Sequence, residues 1–203
     1  MSIINKCEVN EFFKDGRQES FYDNLNLNKD SVVFVIGAYK GISIEKLDSK
    51  YGCQIYGFEP IKEFYNYSVK KFANKKNINL FNYGLGSEDK IIKLYINGDA
   101  TSEFLKKGEP EDCKIIDFMK FLDLHPMRNI DLMEMNIEGG EFDLVPYLIN
   151  NNIIPRIDWL FIQYHCRSQK NTDIINEYHL EFKKTHDLIY NYSFCWERWR
   201  RKH

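Results

Sequence analysis

The period of the apolar positions changes repeatedly along the chain. Val32–Ile36 and Gln54–Phe58 are short, apolar, β-rich runs, which predict buried strands of a parallel sheet. Between them Ile44, Leu47 and Tyr51 share one helical face, and Gly52 supplies a helix stop. Ile61, Phe64, Tyr65, Ser68, Val69 and Phe72 follow a helical period, with Pro60 at a tolerated N-terminal position. Residues 78–82 predict a third strand. The alternation then breaks. Residues 86–90 read as a turn and 91–96 as a strand that pairs back as a hairpin. Residues 97–112, with Gly98, Gly108, Pro110 and many charges, read as a mobile loop. Helices are predicted at 115–122 and 141–150, the second shortened or kinked by Pro146. Strands are predicted at 130–137 and 157–164. Ile175, Tyr178, His179, Phe182 and Ile189 predict one long amphipathic helix, and residues 192–196 a last short strand.

Alternating strands and helices predict an α/β fold, Rossmann-like, with a mostly parallel twisted sheet and helices on both faces. In such a sheet ligands bind at the carboxyl ends of the strands, near the switch in strand order. Residues 1–30 are polar with a few aromatics and predict a helical lead-in; residues 31–203 predict a single domain.

Composition narrows the class. At 43% hydrophobic and 15% aromatic the 203-residue chain is globular rather than disordered. A net charge of −2 gives no overall field to gather nucleic acid or an anionic membrane. The cysteines at 7, 53, 113, 166 and 195 are scattered and form no C-x-x-C pair. They read as reduced thiols, not a disulfide frame or zinc site. No apolar run is long enough for a membrane span and the start lacks a signal-peptide core, so a cytoplasmic location is expected.

Candidate chemistry gathers at strand ends. Gly37 and Gly41 are spaced G-x-x-x-G after the first strand, where a dinucleotide dehydrogenase more often carries G-x-G-x-x-G. The G-x-x-x-G form suits a close-packed, uncharged nucleoside or amino-acid moiety; it equally suits a plain strand–helix turn. Glu59 follows the second strand, where a carboxylate accepts both ribose hydroxyls. Its plainer role is a helix N-terminal acid favoured by the macrodipole. Asn136, Glu138 and Glu141 surround the glycine pair Gly139–Gly140 after a fourth apolar strand. Gln163, Tyr164 and His165 end a fifth. A histidine at that tip suits a general base, because its ordinary pKa lies near neutrality.

Five segments in this order carry a resemblance. They are Val-Ile-Gly-Ala-Tyr-Lys-Gly (35–41), Phe-Glu-Pro (58–60), Asn-Tyr-Gly-Leu-Gly (82–86), the run from Ile130 to Glu141, and Phe-Ile-Gln-Tyr-His (161–165). The stretch from Ser31 to His165 resembles the FkbM family of class I S-adenosylmethionine-dependent O-methyltransferases, which often act on sugar or polyketide hydroxyls. The resemblance implies a class I methyltransferase fold. It also implies that Gly37, Ala38, Tyr39 and Gly41 pack on the cofactor and that Glu59, beside Pro60, takes its ribose hydroxyls. By the same resemblance Gly84 and Leu85 border the adenine, and Asn136, Glu138 and His165 face the transferred methyl group. Thr101, Ser102, Glu141 and Tyr164 would line the substrate side.

The chain departs from the family pattern at four places. Val35 stands where Asp is usual, Tyr39 where Asn is usual, Glu134-Met-Asn136 where Lys-Ile-Asp is usual, and Gln163 where Glu is usual. Loss of the acid at position 35 removes a group that helps hold the cofactor's amino end. The length also leaves room for at most one of the usual two closing strands, which predicts a shortened C-terminal sheet edge covered by a second copy or by a fused glycosyltransferase domain.

The expected activity is O-methylation of a sugar or glycan hydroxyl, with His165 or Glu138 as base. A Mg²⁺ or Mn²⁺ held at Glu138 is the alternative way to acidify the hydroxyl. Two rival readings are a non-catalytic methyltransferase-fold module within a larger glycan-modifying protein and an NAD-dependent oxidoreductase. The tail Trp196-Glu-Arg-Trp-Arg-Arg-Lys-His203 alternates aromatic and basic residues. It reads as a frayed basic terminus, or else as a surface for a glycan or an anionic partner.

Overall fold

The structure is a computed structural model that describes residues 7–96, 109–165 and 168–202. Ten strands and six α-helices follow in the order α1 (Val9–Lys14), β1 (Val32–Ile36), α2 (Ile42–Tyr51), β2 (Gln54–Phe58), α3 (Lys62–Lys71) and β3 (Ile78–Phe81). Then come β4 (Gly84–Gly86), β5 (Lys90–Ile96), β6 (Glu109–Asp117), α4 (Phe118–Leu124) and β7 (Ile130–Met135). The last are α5 (Glu141–Asn150), β8 (Ile157–Ile162), α6 (Gln169–Phe182), β9 (His186–Tyr192) and β10 (Trp196–Arg201). The main sheet has seven strands in the order β3-β2-β1-β7-β8-β10-β9. All pairs from β3 to β8 are parallel, and β10 is antiparallel to both its neighbours. Strand order reverses between β1 and β7, so the ligand crevice is expected at their carboxyl ends.

Two apolar layers cover the sheet. Phe118, Phe121, Leu144, Leu148 and Phe182 from α4, α5 and α6 bury one face. Ile44, Leu47 and Phe72 bury the other, together with Phe12, Phe21 and Leu25 from the lead-in. The central strands are therefore apolar on both sides, which is why they show no period-two alternation. Helix α2 behaves as expected, closing at Gly52 in a left-handed conformation (φ 61°). Pro146 lies inside α5 without ending it.

The structure corrects several expectations. The helix expected at 115–122 is the end of β6 followed by α4. Asp112 and Lys114 alternate with buried Cys113 and Ile115, so the period is that of a strand. Strand β5 does not pair back across the 86–90 turn: it runs antiparallel to the later strand β6, and β4 joins the other side of β6 in a second, three-stranded sheet. Helix α6 ends at Phe182, and Ile189 lies on the edge strand β9, half exposed. The segment expected as a last strand, 192–196, is mostly the turn between β9 and β10.

A further correction concerns the sheet edge. It is not shortened: both closing strands, β9 and β10, are present. The basic tail is an interior strand rather than a frayed end. Its charges are satisfied by distant groups. Glu197 accepts from Trp199 Nε1 at 3.0 Å and pairs with His179 Nε2 at 2.8 Å. The Arg198 guanidinium stacks over Trp159 at 4.5 Å and donates to the Asp23 carbonyl at 2.8 Å. Trp199 is fully buried, and Trp159 and Trp196 pack against the lead-in layer, so none of the three tryptophans offers an open sugar platform. Cys7, Cys53, Cys113 and Cys195 are free thiols; Cys166 lies outside the described residues. Among the described residues no helix is long and apolar enough to cross a membrane.

Candidate functional site

A cavity of about 280 Å³ opens at the carboxyl ends of β1, β2 and β7. Its polar lining includes Gly37, Tyr39, Glu59, Asn136 and Glu138 from the segments picked out by their chemistry, together with Lys90 and Asp143. Its apolar lining comes from Pro60, Ile61 and Phe64 and from the small sheet through Leu85, Ile92 and Ile115. This volume sits near the lower end of the roughly 300–1,000 Å³ typical of small-molecule sites.

The first wall is the turn after β1. Gly37 N and Ala38 N both donate to the Phe58 carbonyl at 3.0 Å, which locks this turn onto β2. Gly37 has φ 88°, and a Cβ there would lie 2.0 Å from the Asn136 carbonyl oxygen. Only glycine lets β1 and β7 approach this closely at the switch point. Tyr39 takes a left-handed conformation (φ 48°) that turns its N–H onto Glu59. Its ring packs edge-on against Phe64 at 4.5 Å, with Lys40 Nζ 5.2 Å above it.

Glu59 is the second wall. Its carboxylate accepts from Tyr39 N at 2.7 Å and Ile61 N at 2.9 Å. Asn82 Nδ2 donates to the Glu59 and Pro60 carbonyls at 3.0 Å, pinning the β2 tip to the segment after β3. Burial disfavours the carboxylate charge and outweighs the two backbone N–H groups, so its pKa is pushed up to about 7. A raised pKa means that the native state binds the proton more tightly than the unfolded chain. The stability Glu59 contributes is therefore complete below pH 4.5 and is lost as the pH rises through about 7. Glu59→Gln is expected to shrink the stability difference between about pH 5 and about pH 8 by roughly 1–3 kcal/mol. Urea unfolding at both pH values reads this directly.

The third wall is the loop after β7. Glu141, fully buried at 0% exposure, accepts from Ile137 N at 2.9 Å and Gly139 N at 2.8 Å. It also pairs with His165 Nδ1 at 2.9 Å, while His165 Nε2 lies 3.3 Å from Glu138. Burial alone pulls the imidazole pKa down, but the hydrogen bonds and charges of Glu138 and Glu141 prevail and push it up to about 10. His165 is thus an imidazolium clamped between two carboxylates. Glu138 sits at φ 54°, a strained conformation for a side-chain-bearing residue, and lines the cavity. Asn136 also lines it, and its buried Oδ1 has no hydrogen-bond partner among the described residues.

Several expected roles change. With its pKa pushed up to about 10 by Glu138 and Glu141, His165 holds its proton near neutrality, which speaks against the general-base role. Glu141 and Tyr164 are buried and do not line the cavity, so neither touches a ligand there; Glu141 organises the loop and Tyr164 packs against Phe142 and Tyr178. Gly41 and Ala38 do not line it either. A Cβ on Gly41 would lie 2.5 Å from the Phe72 ring, so this glycine serves the packing of α3. Among the described residues no group of three or more His, Cys, Asp or Glu is arranged to hold a metal ion. Glu138, the ligand in the alternative Mg²⁺ or Mn²⁺ reading, lies 3.3 Å from His165 Nε2. Thr101 and Ser102 lie outside the described residues.

The sequence reading missed the apolar wall from β5 and β6 and the polar corner at Asp143. Asp143 accepts from Ser87 Oγ at 2.6 Å, Ser87 N at 3.1 Å and Lys90 Nζ at 3.2 Å. The signal was present in the alternation of residues 90–96 and 109–117, hidden by their charges.

No protein-family model matches the sequence, and no curated protein sequence matches it. Solved structures do. A chain of the fibrillarin/Nop5p complex superposes with a TM-score of 0.56 at 11% identity, covering 93% of this chain and 81% of that one. An rRNA methylase from Streptococcus thermophilus gives 0.52 at 12% identity over 87% and 90%. Precorrin-6y C5,15-methyltransferase from Geobacter metallireducens gives 0.50 at 10% identity over 93% and 88%. With the mostly parallel sheet and the antiparallel β10 beside β8, these likenesses make the architecture that of the Rossmann-like methyltransferases.

Proposed function

We propose that this chain is an S-adenosylmethionine-dependent methyltransferase acting on a hydroxyl group. The observation that carries the reading is Glu59. It is a buried carboxylate held at the β2 tip, on the wall of a cavity that begins at the Gly37 turn. The residues suit the cofactor on two further points. Asn136 Oδ1 is buried with no hydrogen-bond partner among the described residues, and the apolar wall of Ile61, Leu85 and Ile115 suits a base. The cofactor supplies an electrophilic methyl group. The chain's own residues hold the acceptor oxygen in line and take its proton.

Glu138 is the proton acceptor in this reading. It lines the cavity, and the His165 imidazolium keeps its carboxylate oriented, while Glu141 keeps His165 charged. The choice of a sugar or glycan as acceptor rests on the FkbM resemblance alone. The neighbours' names speak of rRNA and of a precorrin, so the fold does not select the acceptor. An NAD-dependent oxidoreductase is disfavoured by β10, which inserts antiparallel between β8 and β9, whereas the two βαβαβ halves of a dinucleotide-binding sheet are built from parallel strands. The non-catalytic alternative rests on Val35, Tyr39 and Asn136. Glu134, beside Val35 in register on β7, is held by Tyr22 and Ser43 and does not line the cavity, so cofactor binding itself separates the two readings.

Transfer of a radiolabelled methyl group from S-adenosylmethionine to a panel of free sugars, glycans and polyketide alcohols tests this proposal. Labelling of a hydroxyl by wild type, and a loss of roughly 10²-fold or more in Glu138→Gln, is the expected result. Full turnover in Glu138→Gln would remove it from the base role.

A further inference from the structure

The lead-in, residues 7–30, has one six-residue helix and otherwise turns, yet it is fastened to the sheet face by side chains. The Phe21 ring meets Phe161 at 5.1 Å and Trp196 at 4.8 Å, and Trp159 Nε1 donates to the Leu25 carbonyl at 2.9 Å. One contact reaches further. Tyr22 donates its hydroxyl to Glu134 Oε2 at 2.6 Å, and Ser43 donates to Glu134 Oε1 at 2.5 Å. Glu134 is only 4% exposed and does not line the cavity, so it touches no ligand there. Its two partners belong to different parts of the chain. Ser43 lies in the first turn of α2, just after the Gly37–Gly41 turn, and Glu134 lies on β7 just before Asn136.

We infer that Tyr22, Glu134 and Ser43 are positioning residues, a brace by which the docked lead-in fixes both lips of the cofactor crevice. The inference rests on the proposed cofactor site and adds to it an element that the ligand never meets. A buried carboxyl group with two hydroxyl donors holds α2 and β7 at one spacing. The same carboxyl makes that spacing depend on the lead-in being in place. Buried polar networks of this kind fix geometry more than they add net stability.

The test uses the full chain with Tyr22→Phe, Ser43→Ala and Ser43→Thr. Phe182→Leu serves as a control that softens the opposite face of the sheet. Amide hydrogen exchange at residues 37–43 and 136–140 is read together with calorimetric binding of S-adenosylhomocysteine. Tyr22→Phe and Ser43→Ala are expected to speed exchange in both segments and to weaken binding about five- to tenfold. Ser43→Thr should restore both, and Phe182→Leu should change neither. Unchanged exchange in Tyr22→Phe, or equal loosening in Phe182→Leu, would overturn the brace. If wild type binds no S-adenosylhomocysteine, the cofactor reading fails, while exchange still decides the brace.

Discussion

Gly37→Ala is expected to destabilise the protein by roughly 3 kcal/mol or more and to abolish ligand binding in the cavity. Two effects add at this position. The backbone sits at φ 88°, which side-chain-bearing residues rarely adopt, and the new methyl would meet the Asn136 carbonyl oxygen at 2.0 Å. That oxygen cannot swing aside like a side-chain terminus, because it shares a peptide plane with the Ile137 N–H, which is tied to Glu141 at 2.9 Å. The tips of β1 and β7 must part, and the crevice between them is the site. Gly52→Ala isolates the first effect. Its φ is 61° but nothing lies within 4 Å of a Cβ there, so only about 1 kcal/mol is expected. Thermal unfolding of the two variants separates backbone strain from collision. Equal losses would mean that the close approach at the switch point does not matter.

Glu141→Ala is expected to cost roughly 3–5 kcal/mol, the range for removing one partner of a buried ion pair. The substitution strands the His165 imidazolium and leaves Ile137 N and Gly139 N without their acceptor. Glu141→Gln is the sharper probe, since it keeps the shape and removes the charge. The His165 pKa, raised to about 10 by Glu138 and Glu141, should fall well toward its ordinary value. The sign in stability follows. The contribution of His165 is complete below pH 6.5 and is lost as the pH rises through about 10, so wild type should weaken at alkaline pH and Glu141→Gln should show less of that loss. Imidazole NMR titration checks the pKa. A His165 that already titrates near neutrality in wild type would restore it as a candidate base.

Features set by neighbours in sequence were legible. The β1–α2–β2 segment, the glycine stop at Gly52 and the acid at the β2 tip follow from local period and turn chemistry, and each is found as expected. Features set by distant partners were not. β10 reads as a charged tail because Glu197 and Arg198 look solvated until His179 and the Trp159 ring are brought beside them. β6 reads as loop and helix because its outward positions are charged and its strand partners lie elsewhere in the chain. Within the site, residue type located the cluster but not the direction of each side chain. Glu138 and Glu141 look alike in sequence; one lines the cavity and the other turns inward to hold the loop and His165. Glu134 beside Val35 gave no sign in sequence of its partners, because Tyr22 and Ser43 reach it from distant parts of the chain.

The central claim is that the cavity between Gly37, Glu59 and Asn136 binds S-adenosylmethionine. Calorimetric titration of wild type and Glu59→Ala with S-adenosylhomocysteine tests it most directly, with circular dichroism confirming that both are folded. One site of micromolar affinity is expected in wild type, with at least a tenfold loss in Glu59→Ala, about 1.4 kcal/mol. No binding by folded wild type at millimolar ligand, or equal affinity in the variant, would contradict it.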